Sequence, residues 1–277
     1  MFHVKHVTAT RASLPHKPQK VAHLTYTLNV TSCKGWHALT QPSTNGATPA
    51  SSGLTPAQGN RLDPWFDAYA ERAHNLRESE IRALFSVVSR PEVVSLAGGM
   101  PNLKDLPLDK LAASAEKLVR NHGAQAMQYG SGQGWEVLRE RITEVMTYDG
   151  IIGADPDDVV VTTGSQQALD LVTELFVDPG DVILAEAPSY VGALGVFRAR
   201  QADVVHVPMD EHGIIPEALV ETIRDVRASG RTIKFIYIIP NYHNPAGVTL
   251  SAERRPIIAE ICLREHVLIV EDNPYGL

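Results

Sequence analysis

From residue 158 to residue 277, short apolar runs alternate with longer stretches in which apolar residues recur every three or four positions. The short runs are rich in β-branched residues, which is typical of strands buried on both faces. The predicted strands are Asp158–Thr163, Val182–Glu186, Val204–Val207, Lys234–Ile239 and Val267–Glu271. The predicted helices between them are Ser165–Val177, Val191–Arg200, Pro216–Ala228 and Ser251–Glu265. This alternation predicts βαβ units, and therefore an α/β fold of three layers, α/β/α, with a mostly parallel sheet.

The chain before residue 158 has a less regular pattern. Its predicted elements are the helices Ser79–Ser89, Leu108–His122 and Trp135–Tyr148 and the short strand Val93–Ala97. Order is expected to begin near Trp65. We therefore divide the chain into a disordered basic tail and linker at residues 1–62, an N-terminal segment that begins the main domain at residues 63–157, and the large domain at residues 158–277.

Charge separates the tail from the rest of the chain. Residues 1–62 hold six of the 25 basic residues and none of the 32 acidic ones. The remainder is therefore strongly acidic, which argues against a nucleic-acid binder that relies on phosphate contacts. The Ser-, Thr- and Pro-rich stretch Gln41–Asn60 has the composition of a disordered linker. A transit peptide and a non-native upstream extension both remain open for the tail.

The cysteine content and the apolar runs limit the compartment and the class of site. Cys33 and Cys262 are far apart and form neither a metal-binding nor a disulfide pattern. No apolar run reaches the roughly 18 residues of a membrane span. We therefore expect a cytoplasmic protein with no metal site and no membrane partner.

The ends of two predicted strands carry a turn and an aromatic residue that suit a ligand. In open α/β sheets, ligands bind beyond the carboxyl ends of the strands. Gly164 and Ser165 lead from a strand into a helix, whose N-terminus attracts phosphate. An ordinary capped helix is the alternative. Tyr190 follows another strand through Pro188 and would stack on a flat ligand or cover the sheet edge.

Two further strand ends add an amide and a carboxylate. Asn244 precedes Pro245 in a compact loop, where its amide either reaches a ligand oxygen or forms an Asx turn, and its neighbours Tyr242 and His243 are expected on the surface. Asp272 follows a buried strand and needs a partner, such as a protonated pyridine, unless it caps the next turn. One planar, phosphorylated ligand with a pyridine ring would use all four strand ends.

With these residues in place, the chain resembles the fold-type I pyridoxal-phosphate (PLP) enzymes, and among them the class I/II aminotransferases. The nearest likeness is to the branch of 2-aminoadipate and related broad-range transaminases. The matching stretches are Ser95–Pro101, Met127–Gly134, Thr162–Asp170, Pro179–Tyr190, Phe235–Val248 and Val270–Gly276. The resemblance covers roughly residues 65–277 and implies that the large domain binds PLP.

The resemblance implies a role in cofactor binding for five of these residues. Ser165 and Gln166 would hold the phosphate at the helix N-terminus. Tyr190 would stack on the pyridine face. Asn244 and Tyr275 would share the 3-oxygen of the ring.

Three other residues complete the implied set. Asp272 would pair with the pyridine nitrogen, and the backbone at Gly99 would lie beside the substrate carboxylate. Tyr129 would reach the phosphate of a neighbouring subunit, which implies a homodimer with shared sites. The implied reaction moves an amino group between an amino acid and a 2-oxo acid.

The resemblance also implies a lysine that joins PLP covalently. The last lysine of this sequence is Lys234, which begins its predicted strand and so lies at the wrong end of the sheet. We therefore expect the Schiff-base lysine beyond Leu277, no catalytic residue within the chain, no C-terminal small domain, and no transamination. Two alternatives stay open: an aminotransferase-like effector domain of a transcription regulator, although residues 1–62 show no helix-turn-helix pattern, and a related PLP lyase or decarboxylase.

Overall fold

A computed structural model describes residues 7–9, of which only the backbone is described, and residues 68–74, 93, 103 and 105–276. The described residues 7–9 and 70–276 belong to one compact unit. This unit contains a six-stranded sheet. Its strands are β1 (Val7–Ala9), β2 (Val182–Ala187), β3 (Asp203–Asp210), β4 (Gly213–Ile214), β5 (Ile233–Ile238) and β6 (Leu268–Asp272).

The strands lie in the order β1-β6-β5-β2-β3-β4. The four central strands pair in parallel, and the short strands at the two edges, β1 and β4, pair antiparallel. The described helices are α1 (Glu71–His74), α2 (Leu108–Ala126), α3 (Glu136–Met146), α4 (Ser165–Phe176), α5 (Val191–Ala199), α6 (Pro216–Ala228) and α7 (Arg254–Arg264). The prediction of a mostly parallel sheet is confirmed by these pairings. A helix connects β2 to β3 and β5 to β6, the crossover that parallel neighbours require.

Helices cover both faces of the sheet because side chains alternate along each strand. Leu184 of β2 packs in one apolar cluster with residues of α6 and α7. Its neighbour Ile183 packs in a second cluster with residues of α4 and α5. Both side chains are fully buried, and each such burial stabilises the fold by about 1.5–3 kcal/mol. The three-layer α/β/α prediction is therefore confirmed.

The predicted strand Asp158–Thr163 is wrong. Its first residue ends a 3₁₀ turn, Pro156–Asp158, and residues 159–163 belong to no strand. Their backbone pairs with none of the six strands in the described part of the chain; the Val161 N–H donates instead to the carbonyl of Gln133 at 2.8 Å. β-branched residues favour a strand only where a neighbouring strand supplies the hydrogen bonds.

Several predictions fall on other parts of the chain. The helix Ser79–Ser89, most of the strand Val93–Ala97, and residues 10–62 lie outside the described residues. The prediction of a disordered tail at residues 1–62 is wrong for residues 7–9, which form β1 and pair with β6 because that strand offers an open edge. Among the described helices, none combines the length and the apolar character needed to cross a bilayer.

Candidate active site at the carboxyl ends of the strands

The register of the sheet brings the carboxyl ends of β2, β5 and β6 to one level. Ala185 of β2 lies opposite Tyr237 of β5. Ile238 of β5 lies opposite Glu271 of β6. The segments that follow these three strands therefore leave the sheet side by side. The segments after β2 and β5 carry Tyr190 and Asn244, and Asp272 is the last residue of β6, so the ends of these three strands form a single rim.

Asp272 is a buried carboxylate at the end of β6. Its residue is only 3% exposed, and its Oδ2 accepts a 2.8 Å hydrogen bond from the hydroxyl of Tyr237. Burial, and then the charge of Asp272, raise the pKa of Tyr237 well above its usual range. The phenol therefore stays protonated and acts as a donor toward the carboxylate. Its ring is fixed edge-on against Phe197, with the ring centroids 5.4 Å apart.

Tyr190 lies at the start of α5, in electrostatic contact with Asp272. Burial raises the pKa of Tyr190, and the charges of Asp272 and Tyr275 raise it further. A carboxylate, a half-buried phenol and a second phenol thus share one part of the rim. Tyr275 itself is 45% exposed.

Gly192 makes room for the ring of Tyr190, which sequence reasoning did not detect. A Cβ atom placed on Gly192 would lie 2.4 Å from the Cζ atom of Tyr190 and 2.5 Å from its hydroxyl oxygen. The carbonyl of Gly192 also accepts a 3.3 Å hydrogen bond from the side chain of Gln166. Tyr190 and the start of α4 are therefore connected through this glycine. The only signal in the sequence is a glycine two residues after the tyrosine.

The N-terminus of α4 offers backbone donors to an anion. Gly164 precedes the helix with a φ of 79°, a conformation that favours glycine, and provides no side-chain cap. The first turn holds no acidic residue that would compete for the positive end of the helix. Ser165 is buried at the first helical position. Gln167 stabilises the turn, because its side-chain oxygen accepts hydrogen bonds from the backbone N–H and from the hydroxyl of Thr163, each at 2.6 Å.

In the loop after β5, Asn244 is exposed to solvent and Asn241 holds the loop through two side-chain hydrogen bonds. The side-chain amide of Asn241 donates to Asn273 at 2.8 Å and accepts from Arg255 at 2.7 Å. Asn241 therefore ties this loop to the turn that carries Tyr275. Asn244 is exposed at the tip.

His243 does not lie on the surface, so that prediction is wrong, whereas Tyr242 is 66% exposed as expected. His243 is 2% exposed, and its Nε2 atom lies 3.1 Å from a carboxylate oxygen of Glu186 at the end of β2. Glu186 is itself 1% exposed. Sequence reasoning also missed Glu186, although it ends an apolar strand in the same way as Asp272.

The remaining candidate residues lie away from this rim or outside the description. Tyr129 is 99% exposed, and no described contact joins it to the rim. Gly99 lies outside the described residues. Lys234 forms a 3.1 Å ion pair with Asp181 at the amino ends of β5 and β2. It therefore lies at the end of the sheet opposite the rim, as predicted.

Comparison with known proteins identifies the family of the chain. The family model for class I and II aminotransferases matches residues 91–277. An aromatic-amino-acid aminotransferase of Thermococcus litoralis is 38% identical over 208 residues, which are 75% of this chain and 50% of that protein. The chain thus spans about half the length of this curated relative.

Two solved structures resemble the chain in fold. A kynurenine aminotransferase of Pyrococcus horikoshii, solved in complex with PMP, is 33% identical with a TM-score of 0.69, covering 74% of this chain and 50% of that one. An α-aminoadipate aminotransferase of Thermus thermophilus, complexed with N-(5′-phosphopyridoxyl)-L-leucine, is 33% identical with a TM-score of 0.65, covering 75% and 49%. The chain belongs to the family of class I and II aminotransferases.

Proposed function

We propose that this chain is the cofactor-binding part of a PLP-dependent aminotransferase and that the rim at the strand ends holds PLP. The observation that carries the proposal is Asp272, a carboxylate buried at the end of β6 and fixed by the hydroxyl of Tyr237. A buried carboxylate is costly unless a positive group faces it. A protonated pyridine nitrogen is such a group, and the relatives named above include proteins solved with pyridoxyl compounds.

The residues of the rim fit the other parts of the cofactor. The N-terminus of α4, with Ser165 and Gln166, would take the phosphate, because its donors have no acidic neighbour in the first turn. Tyr190 would cover one face of the ring, in the position that Gly192 leaves open. Asn244 and Tyr275, which are both exposed, would share the 3-oxygen.

Bound PLP supplies an electron sink for charge that develops at the substrate Cα. The residues of this chain would hold the cofactor and polarise its ring. Asp272 would face the ring nitrogen and favour its protonated form, and the hydroxyl of Tyr237 orients that carboxylate through a 2.8 Å hydrogen bond. Tyr190 would cover one ring face. Because Lys234 is paired with Asp181 at the far end of the sheet, we propose that this chain binds the cofactor without a covalent bond.

The substrates we propose are an amino acid and a 2-oxo acid, with the backbone at Gly99 beside the substrate carboxylate. The homodimer is also a proposal, supported by Tyr129, which is 99% exposed and so is available to a partner's phosphate. The cytoplasmic location rests on the two distant cysteines. The relatives named above are aminotransferases, which favours the enzyme over the effector-domain alternative.

Pyridoxamine 5′-phosphate tests the proposal, because it lacks the aldehyde and needs no lysine. We expect the 277-residue protein to bind it in a calorimetric titration, and Asp272→Asn to lower the affinity about 10- to 100-fold, since a hydrogen bond to a charged group is lost. Asp178→Asn is the matched control, because Asp178 is an exposed carboxylate that precedes β2 at the other end of the sheet. Absence of binding, or equal affinity for wild type and Asp272→Asn, would contradict the proposal.

A further inference from the structure

Glu186 and His243 are two buried ionisable residues to which the proposed cofactor contacts give no role. Their side chains are 2% and 1% exposed, respectively. They come from different elements: Glu186 ends the run of buried residues in β2, and His243 lies in the loop after β5. Two polar side chains are rarely buried together unless their contact fixes something that the protein needs.

The carboxylate of Glu186 is held from two sides. One of its oxygens, Oε2, accepts the backbone N–H of Ile239 at 2.8 Å. The same oxygen lies 3.1 Å from Nε2 of His243. Among the described residues, Nε2 of His243 forms no hydrogen bond of good geometry, so the carboxylate of Glu186 at 3.1 Å is its close polar contact.

The hydrogen-bond pattern indicates the tautomer of the imidazole. The backbone N–H of Ala246 points at Nδ1 of His243 from 3.4 Å. Nδ1 must therefore act as an acceptor, which places the ring proton on Nε2, next to the carboxylate.

The backbone of His243 closes the loop that carries Asn244. Its N–H donates to the carbonyl of Val248 at 2.7 Å, and its carbonyl accepts from Gly247 at 2.5 Å. The side chain of His243 therefore fixes a closed loop to the end of β2, while the next residue, Asn244, is exposed at the rim. Glu186 belongs to the strand that continues into Tyr190, so the contact joins the two segments on either side of the proposed ring.

We propose that Glu186 and His243 form a positioning pair that sets the direction of the Asn244 amide toward the 3-oxygen of the cofactor. The inference rests on the proposed function, because it assigns to Asn244 its cofactor contact. The pair touches neither cofactor nor substrate; it acts through the loop.

A double-mutant cycle distinguishes positioning from general structural support. The affinity for pyridoxamine 5′-phosphate is measured for wild type, His243→Ala, Asn244→Ala and the double variant. We expect each single change to weaken binding about 3- to 10-fold, the effect of one lost hydrogen bond. The double variant should be no weaker than the poorer single variant, since His243 acts only through Asn244.

A conservative variant and a neighbour serve as controls. His243→Gln keeps an amide N–H that can reach Glu186, so it should regain most of the affinity. Tyr242→Ala alters the exposed neighbour in the same loop and should bind as wild type does. If His243→Ala does not fold, Glu186→Gln takes its place in the cycle.

Three outcomes separate the two proposals. Effects of His243→Ala and Asn244→Ala that multiply in the double variant would overturn the positioning role. Wild-type affinity of both His243→Ala and Glu186→Gln would overturn it as well. If the wild-type protein does not bind the compound at all, the proposed function fails and the positioning role fails with it, whereas normal binding that depends on Asp272 leaves the cycle as a test of the pair alone.

Discussion

The two ends of the parallel sheet use charged and polar residues in opposite ways. At the amino ends of the strands, ion pairs such as Lys234–Asp181 and Arg231–Asp203 lie at or near the surface. At the carboxyl ends, Asp272 and Glu186 are almost fully buried, and each is held by a side chain from a neighbouring segment. Pairs near the surface contribute about 0–1 kcal/mol to stability, whereas burying a carboxylate costs several kcal/mol before any partner is counted.

This difference supports the proposal that the carboxyl ends of the strands serve a ligand. Charges at the amino ends can be exchanged at little cost, since water solvates them in either state. The two carboxylates at the carboxyl ends are instead buried, and each accepts a hydrogen bond from within the fold. A cationic or donor ligand at the carboxyl ends would give these buried carboxylates a further partner.

We expect the largest effect from Tyr237→Phe, which tests the buried hydrogen bond at the carboxyl ends of the strands. The ring and its packing on Phe197 are kept, and only the donor to Asp272 is removed. Removing a hydrogen bond from a buried carboxylate lowers the free energy of unfolding by about 1–3 kcal/mol. We expect the free energy of unfolding in urea to fall by this amount, together with a loss of affinity for pyridoxamine 5′-phosphate.

Tyr242→Phe is the control for that change, because Tyr242 is 66% exposed and lies in the loop after β5. It should leave both quantities unchanged. A Tyr237→Phe protein as stable and as well bound as wild type would mean that Asp272 does not depend on the phenol.

A smaller effect on stability is expected from Gly192→Ala, which tests the space around Tyr190. The new Cβ would overlap the tyrosine ring, and overpacking typically costs about 1–3 kcal/mol. The better helix propensity of alanine offsets up to about 1 kcal/mol of this. We therefore expect weaker binding of pyridoxamine 5′-phosphate with a modest change in thermal unfolding.

Gly195→Ala is the matched control in the same helix. A Cβ at Gly195 has nothing within 4 Å, so this variant should be slightly more stable and should bind normally. Equal affinities of the two variants would show that the ring of Tyr190 is not part of the site.

The smallest effect is expected at the amino end. Lys234→Gln removes the 3.1 Å ion pair with Asp181, whose partners are 28% and 16% exposed. We expect a loss of at most about 1 kcal/mol in urea unfolding and no change in affinity for pyridoxamine 5′-phosphate. A clear loss of affinity would remove the distinction between the two ends of the sheet.

Most helices and strands of the core were predictable from the sequence. Pro216–Ala228 begins and ends where the pattern predicts, and β2, β5 and β6 agree with their predicted strands to within one residue at each end. Their burial is encoded in the chain itself as apolar runs and helical periodicity. Residues 158–163 have the same composition but form no strand, because pairing depends on a neighbour that local sequence does not specify.

The candidate site divides along the same line. The sequence determined that an aromatic residue, an amide and a carboxylate follow β2, β5 and β6, whose carboxyl ends lie at one edge because the strands are parallel. The glycine turn was also identified, but the segment before it forms no strand. Only the tertiary structure decided which groups are buried together: Tyr237 with Asp272, and Glu186 with His243. The first two partners are 35 positions apart along the chain, and the second two come from β2 and from the loop after β5. Their contacts depend on strand order and register, which arise from packing across the whole sheet.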